Sequence, residues 1–176
     1  MSALVITTNY GIEQDELTVP LQALRDAGID VTVAAVSNEP IETLVGDKDP
    51  GASVTPDTTL ADVDPSAFDL LVVPGGTINA DQLRGEADAL NIARAFARDG
   101  KTIAAICHAP WLLVEADLTR GKTLTSWSSL ATDVRNSGAT WVDEELVTDD
   151  ADGWTLITSR SPEDLDAFTG AITSTR

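Results

Sequence analysis

Two apolar runs, "DLLVVPGG" at 69–76 and "TIAAIC" at 102–107, flank the segment "EADALNIARAFARDG" at 86–100. Neither run alternates with polar residues, so a strand made from it must be covered on both faces. The segment between them carries apolar residues at helical spacing and supplies a cover. This pattern demands a parallel sheet with crossover helices. The beginning of the chain repeats it. "ALVITT" at 3–8 is a β-branched strand, a helical pattern through Leu17, Leu21 and Leu24 stops near Gly28, and "VTVAAV" at 31–36 is the next strand. Short elements follow at "KTLTS" (122–126), "ATWVD" with "ELVTD" (139–149) and "WTLITS" (154–159). Ser161 before Pro162, with Glu163 and Asp164 behind, starts a last helix that closes the sheet. The Gly/Asp/Pro-rich stretch 46–58 reads as a loop or an irregular hairpin. The expected fold is α/β: a doubly wound, mostly parallel sheet with helices on both faces, in one domain over residues 1–176.

A chain of 176 residues can bury roughly two-thirds of the surface its unfolded form exposes. Its 29 Asp and Glu against 11 Lys and Arg leave a formal charge of -18, a field that repels phosphate backbones and argues against nucleic acid. Disorder is not the reading, because apolar residues make up 43% of the chain and recur in strand and helix patterns. The acid is surface coating. Only Lys48, Lys101 and Lys122 are lysines, a balance suited to molar salt, where the Debye length is about 3 Å and self-repulsion is screened. The thermal unfolding midpoint is therefore expected to rise with KCl concentration; a flat response would remove self-repulsion from the account. No signal pattern and no membrane-length apolar stretch is present, so a cytoplasmic protein without a membrane partner is expected. One cysteine and one histidine offer neither an internal disulfide nor a zinc cluster, and no metal or cofactor is expected.

That cysteine and that histidine are adjacent: Cys107 and His108 follow the strand at 102–106, and Pro110 starts a helix behind them. Ligands of open α/β sheets sit beyond the carboxyl ends of strands. A thiol there, at a helix N-terminus, is favoured as thiolate and as a nucleophile, whereas a lone cysteine in an apolar run is ordinarily an inert core residue. His108 is a proton carrier beside such a nucleophile. Consecutive side chains diverge on a tight turn, however, so a carboxylate has to orient the ring.

"AAICHAPWLL" resembles the nucleophile turn of the ThiJ/PfpI superfamily, whose PfpI branch carries Ala-Ile-Cys-His-Gly-Pro before an apolar helix. Three further matches lie in order: "EQDELTVP" (13–20), "DLLVVPGG", and "TSRSPEDLDAF" (158–168). The resemblance implies the flavodoxin-like fold of class I glutamine amidotransferases. It implies Cys107 as nucleophile, His108 as its proton partner and Glu16 as a carboxyl beside the sulfur. The glycine pair Gly75 and Gly76, with the His108 N–H, would hold an oxyanion. Asp81 would reach the histidine of a neighbouring subunit, so a homodimer or higher oligomer is implied; on its own, an Asp there reads as a helix cap. Glu13 on its own reads as an acid complementing a helix dipole. Trp127 stands where PfpI-like proteases often carry a tyrosine and would border the substrate; Trp111 reads as helix packing, and Ala109 replaces a common Gly.

The resemblance implies a cysteine-dependent hydrolase acting on a peptide or amide, or on a small carbonyl compound such as methylglyoxal and its adducts, as protease, glyoxalase or deglycase. Glutaminase chemistry needs a second histidine downstream, and the chain has none. The alternative is a redox sensor or stress chaperone in which Cys107 is oxidised without turnover.

Overall fold

A computed structural model describes residues 1–175. The first half contains β1 (Ser2–Ile6), β2 (Tyr10–Glu13), α1 (Gln14–Asp26), β3 (Asp30–Ala35), β4 (Ile41–Val45), β5 (Asp49–Val54), β6 (Thr58–Thr59), β7 (Leu70–Val73), α2 (Thr77–Leu83) and α3 (Ala87–Arg98). The second contains β8 (Thr102–Ile106), α4 (Pro110–Glu115), β9 (Thr123–Leu124), α5 (Ala131–Asn136), β10 (Thr140–Trp141), β11 (Val147–Asp149), β12 (Leu156–Ser159) and α6 (Leu165–Thr173). The central seven-stranded sheet runs β11-β12-β8-β7-β1-β3-β6. All its pairings are parallel except β11 with β12.

The apolar runs are continuous because each strand feeds two cores. Along β7, Leu70 and Val72 face one layer with Leu17, Leu21 and Leu24 of α1 and Phe168 and Ile172 of α6. Leu71 and Val73 face the other, with Ile92 and Phe96 of α3 and Leu112 and Leu113 of α4. This is the period-two alternation of a strand under two helical layers, the expected flavodoxin-like arrangement. Gly28 has φ 74 just past α1, where the sequence ends that helix. At the start of the last helical segment the Ser161 hydroxyl accepts from the Glu163 N–H at 3.3 Å.

The stretch 46–58 is the irregular hairpin: β5 pairs antiparallel with β4 and carries a register shift, and β4 pairs with β2. This small second sheet leans over the carboxyl end of the main one. Between β1 and β7 the chain switches direction of travel across the sheet, the place where such folds form crevices. Among the described residues no helix is long and apolar enough to cross a membrane.

Candidate active site

Cys107 follows β8 in a left-handed conformation, φ 64, that costs a non-glycine residue roughly 1–2 kcal/mol. Neighbouring backbone holds it there. Its N–H donates to the Ser159 carbonyl at the end of β12 (3.0 Å), and its carbonyl accepts from the Trp127 N–H (2.8 Å). The bend then feeds α4, with Pro110 at the first helical position, as the sequence predicts.

The sulfur is less accessible than a crevice-mouth thiol. Cys107 is 4% exposed and forms part of the floor of a cavity of about 410 Å³, shared with Glu16, Asp47, Thr77, His108 and Trp127. Burial pushes its thiol up from the ordinary value, Glu16 pushes the same way where it is ionised, and the Gly76 and His108 amides that face the sulfur pull against both. The expectation of a thiolate favoured by position alone is corrected: desolvation outweighs the short helix behind it. Ionisation has to be driven by the neighbours.

One neighbour is the imidazole. His108 Nδ1 lies 3.1 Å from Cys107 Sγ. The two consecutive side chains meet instead of diverging, because the left-handed bend replaces the alternation of an extended chain. The ring stacks on Trp127 at 5.9 Å and 23° and meets Trp111 edge-on at 5.3 Å and 62°. Trp111 therefore packs, as expected of a helix face, but what it packs against is the imidazole. Burial lowers the imidazole pKa, opposed by the Asp47 charge, so the ring rests neutral at pH 7.

The other neighbour is Glu16, fully buried in the first turn of α1. Burial raises its pKa to about 8, with smaller pushes from Glu13 and Asp47, so it is protonated near neutral pH. Oε2 accepts from the Gly75 N–H at 3.0 Å. Oε1 is buried without a regular hydrogen-bond partner among the described residues, and the Cys107 thiol interacts with this carboxyl.

The glycine pair divides its labour. The Gly75 amide is committed to Glu16, so it is not offered to a substrate as the sequence reading had it; Gly76 and His108 remain as donors facing the sulfur. A Cβ on Gly75 would lie 2.8 Å from Cys107 Cβ and collide with Glu16 Oε2. Gly76 has φ 88 and abuts the β2 backbone, where a Cβ would lie 2.6 Å from the Glu13 nitrogen. Trp127, 43% exposed, walls the cavity. Asp81 does not join this group within one chain: it is exposed inside α2 and lines no part of the cavity. Nor is it the helix cap, a place taken by Gly76.

A family model described as DJ-1/PfpI family matches residues 1–175. The chain belongs to the DJ-1/PfpI family. It is 40% identical over 166 residues to protein/nucleic acid deglycase 2 of Escherichia coli, covering 94% of this chain and 91% of that one. A deglycase of Pyrococcus horikoshii is 37% identical over 168 residues, covering 96% and 95%. Among solved structures, Drosophila melanogaster DJ-1beta superposes with a TM-score of 0.85 at 35% identity, over 98% of this chain and 88% of that one.

In this DJ-1/PfpI chain several residues that shape the site escaped sequence reasoning. Asn79 is fully buried: its Oδ1 accepts from Thr7 and Thr8 (2.8 to 3.0 Å), and its Nδ2 donates to the carbonyls of Pro74 (3.1 Å) and Gly75 (3.0 Å), tying the glycine turn to the end of β1. Glu13 does more than complement a dipole. Its carboxylate accepts the Gly46 and Asp47 amides at 3.1 and 2.9 Å and clamps the hairpin tip over the cavity. Thr77 and Asp47 complete the rim. None of these has a periodic signal; the Gly-Asp pair at 46–47 was legible only as a turn.

The raised Glu16 carboxyl has a measurable consequence. From its ordinary 4.5 to about 8, the unfolded chain has released this proton while the folded chain keeps it. The stability it contributes is complete below pH 4.5 and falls as pH rises toward 8. Glu16→Gln keeps the shape and removes this loss, so the variant is expected to be more stable than wild type by about 3 kcal/mol at pH 7, with the gap closing by pH 4.5. Urea unfolding across that pH range checks it, and a gap independent of pH would overturn the buried-acid assignment.

Proposed function

We propose that this protein is a cysteine-dependent hydrolase of carbonyl adducts, with Cys107 as nucleophile and His108 as the group that moves its proton. The observation that carries the reading is the 3.1 Å approach of Nδ1 to Sγ at the floor of a cavity whose adjacent acid, Glu16, is protonated at neutral pH. The thiol proton passes to Nδ1 as Sγ bonds to the substrate carbonyl carbon, and the carbonyl electron pair moves to oxygen. The Gly76 and His108 amides stand beside the sulfur to receive that oxyanion. The protonated Glu16 carboxyl donates toward the sulfur and lowers the free energy of thiolate without adding charge. With an amide, collapse of the tetrahedral adduct expels the amine, which takes the imidazolium proton, and water then releases the acyl group from sulfur. With methylglyoxal the adduct is a hemithioacetal whose former aldehyde carbon loses a proton while the neighbouring ketone carbon gains one through an enediol. Water releases the resulting 2-hydroxyacyl thioester as the hydroxy acid, a path that an aminocarbinol adduct joins once its amine has left.

Aldehyde-derived substrates, methylglyoxal and its protein adducts, fit best. The cavity is compact, Trp127 replaces the tyrosine of PfpI-like proteases, and two of the relatives carry deglycase names. An acid completes the array by orienting the imidazole. Asp81 of a second copy is the family's choice, in which case activity per chain falls on dilution through the dissociation range; Asp47 of the same chain is the other choice.

Methylglyoxal, a glycated peptide and a fluorogenic peptide, assayed at molar KCl with wild type and Cys107→Ser, test the reading. Cysteine-dependent turnover of the first two is expected. Cysteine-dependent cleavage of the fluorogenic peptide alone would make it a peptidase, and no cysteine-dependent turnover would overturn it. The sensor reading draws on the same Glu16, which can hydrogen-bond a sulfinate. A sensor has no use for an imidazole base, so retained function in His108→Ala would favour it.

A further inference from the structure

Asp47 lies at the tip of the β4–β5 hairpin, 60 positions before the cysteine. Gly46 and Asp47 both have positive φ, 63 and 56, the left-handed pair that turns a hairpin, and Asp is among the few side chains that adopt it readily. With Glu13 holding both amides of that pair, the Asp47 carboxylate reaches the start of α2. It accepts from the Thr77 N–H at 3.1 Å and from the Thr77 hydroxyl at 2.7 Å. Thr77 Oγ1 in turn lies 3.4 Å from His108 Nε2, a long contact of the kind that tightens when substrate closes a site.

A hydroxyl has one hydrogen to give. The hydrogen of Thr77 goes to the Asp47 carboxylate, so toward the imidazole Oγ1 acts only as acceptor and the ring hydrogen belongs on Nε2. The lone pair is then left on Nδ1, the nitrogen 3.1 Å from the sulfur. We infer that Asp47, acting through the Thr77 hydroxyl, fixes His108 in the Nε2–H tautomer and so makes Nδ1 the base for the Cys107 thiol. Its kinetic consequence rests on the hydrolase reading above; the tautomer rests on geometry alone.

Asp47 and Thr77 are positioning residues, since neither reaches the sulfur. When the thiol proton arrives at Nδ1 the ring becomes imidazolium, and the Asp47 charge, which already opposes the lowering of the ring pKa, faces the new positive charge. The other groups around the ring do not compete for Nε2. The Cys107 thiol sits at Nδ1, Glu13 is engaged with the hairpin tip, and Glu16 is engaged with Gly75. Trp127 and Trp111 are uncharged, and the Arg84 guanidinium lies beyond the Trp111 ring at 5.6 Å. An acid delivered by a second copy would have to displace Thr77 from the same nitrogen.

Because His108 is the only histidine, its ring nitrogens can be read without ambiguity by NMR of the full chain labelled with ¹⁵N-histidine. Wild type is expected to show the Nε2–H tautomer. Thr77→Val and Asp47→Asn are expected to give a mixture, Thr77→Ser to restore the wild-type form, and Asp47→Asn to lower the imidazole pKa; asparagine tolerates the left-handed backbone. In methylglyoxal turnover, Asp47→Asn and Thr77→Val should lose about 10- to 100-fold in kcat with KM little changed, with Thr77→Ser near wild type. An Nδ1–H tautomer in wild type overturns the inference even if no variant folds. So does a tautomer that shifts with Asp81→Asn and not with Asp47→Asn, which would assign orientation to a second copy. A wild-type chain with the Nε2–H tautomer but no turnover would leave the inference standing and defeat the hydrolase reading instead.

Discussion

The Cys107→Ser protein is expected to turn over methylglyoxal at less than about one-thousandth of the wild-type rate, because under the proposed function it loses the group that forms the covalent adduct. The substitution conserves shape, and the backbone bonds from Ser159 and Trp127 that hold the turn do not involve the side chain, so the urea midpoint should stay close to wild type. An alcohol ionises far less readily than a thiol, and here burial already opposes ionisation. The neutral imidazole, its basicity lowered by burial, is too weak a base to compensate. Steady-state turnover at molar KCl, paired with urea unfolding, checks both halves. A variant that matches wild-type turnover removes Cys107 from the chemistry.

Gly76→Ala is expected to cost about 3 kcal/mol or more of stability, the scale of a side chain forced into a left-handed position against fixed backbone. Two effects combine. The φ of 88 disfavours any Cβ, and that Cβ would meet the Gly11 carbonyl and lie 2.6 Å from the Glu13 nitrogen. Those atoms belong to β2 and its approach, which pairs with β4, so they cannot retreat without opening the small sheet that carries Asp47. The same shift moves the Gly76 amide off the sulfur, and loss of one oxyanion donor is worth about 10²- to 10³-fold in kcat. The urea midpoint reads the first effect, and kcat at a urea concentration where the variant is still folded reads the second. An unchanged midpoint would mean that β2 yields, and an unchanged kcat would remove Gly76 from the oxyanion site.

Much of the fold was legible because its signals are local. An apolar run such as "DLLVVPGG" can only be a strand covered on both faces; β7, β8 and β12 fall within segments read from the sequence, and β1 and β3 each begin one residue before theirs. The elements that were not read are β2, β4, β6, α2 and α5, four, five, two, seven and six residues long, too short to show a period. Their existence follows from packing against the glycine turn and the sheet edges. At the site, Cys107, His108 and the glycine pair announced themselves by their position at strand ends. The burial that raises the thiol and protonates Glu16 did not, since the water content of a site is a property of everything packed around it.

The order of strands and helices, the acid coating and the cysteine-histidine turn after β8 were determined by the chain's own periodicity and residue types. Only the tertiary structure decided which acids meet the imidazole. Asp47 and Thr77 are 30 positions apart in sequence, and Glu13 and Asp47 are 34 apart. They touch because one hairpin folds over the carboxyl ends of the sheet. A hydrogen bond depends on tenths of an ångström and on the direction of a single proton, and no pattern of polar and apolar residues along the chain carries that information.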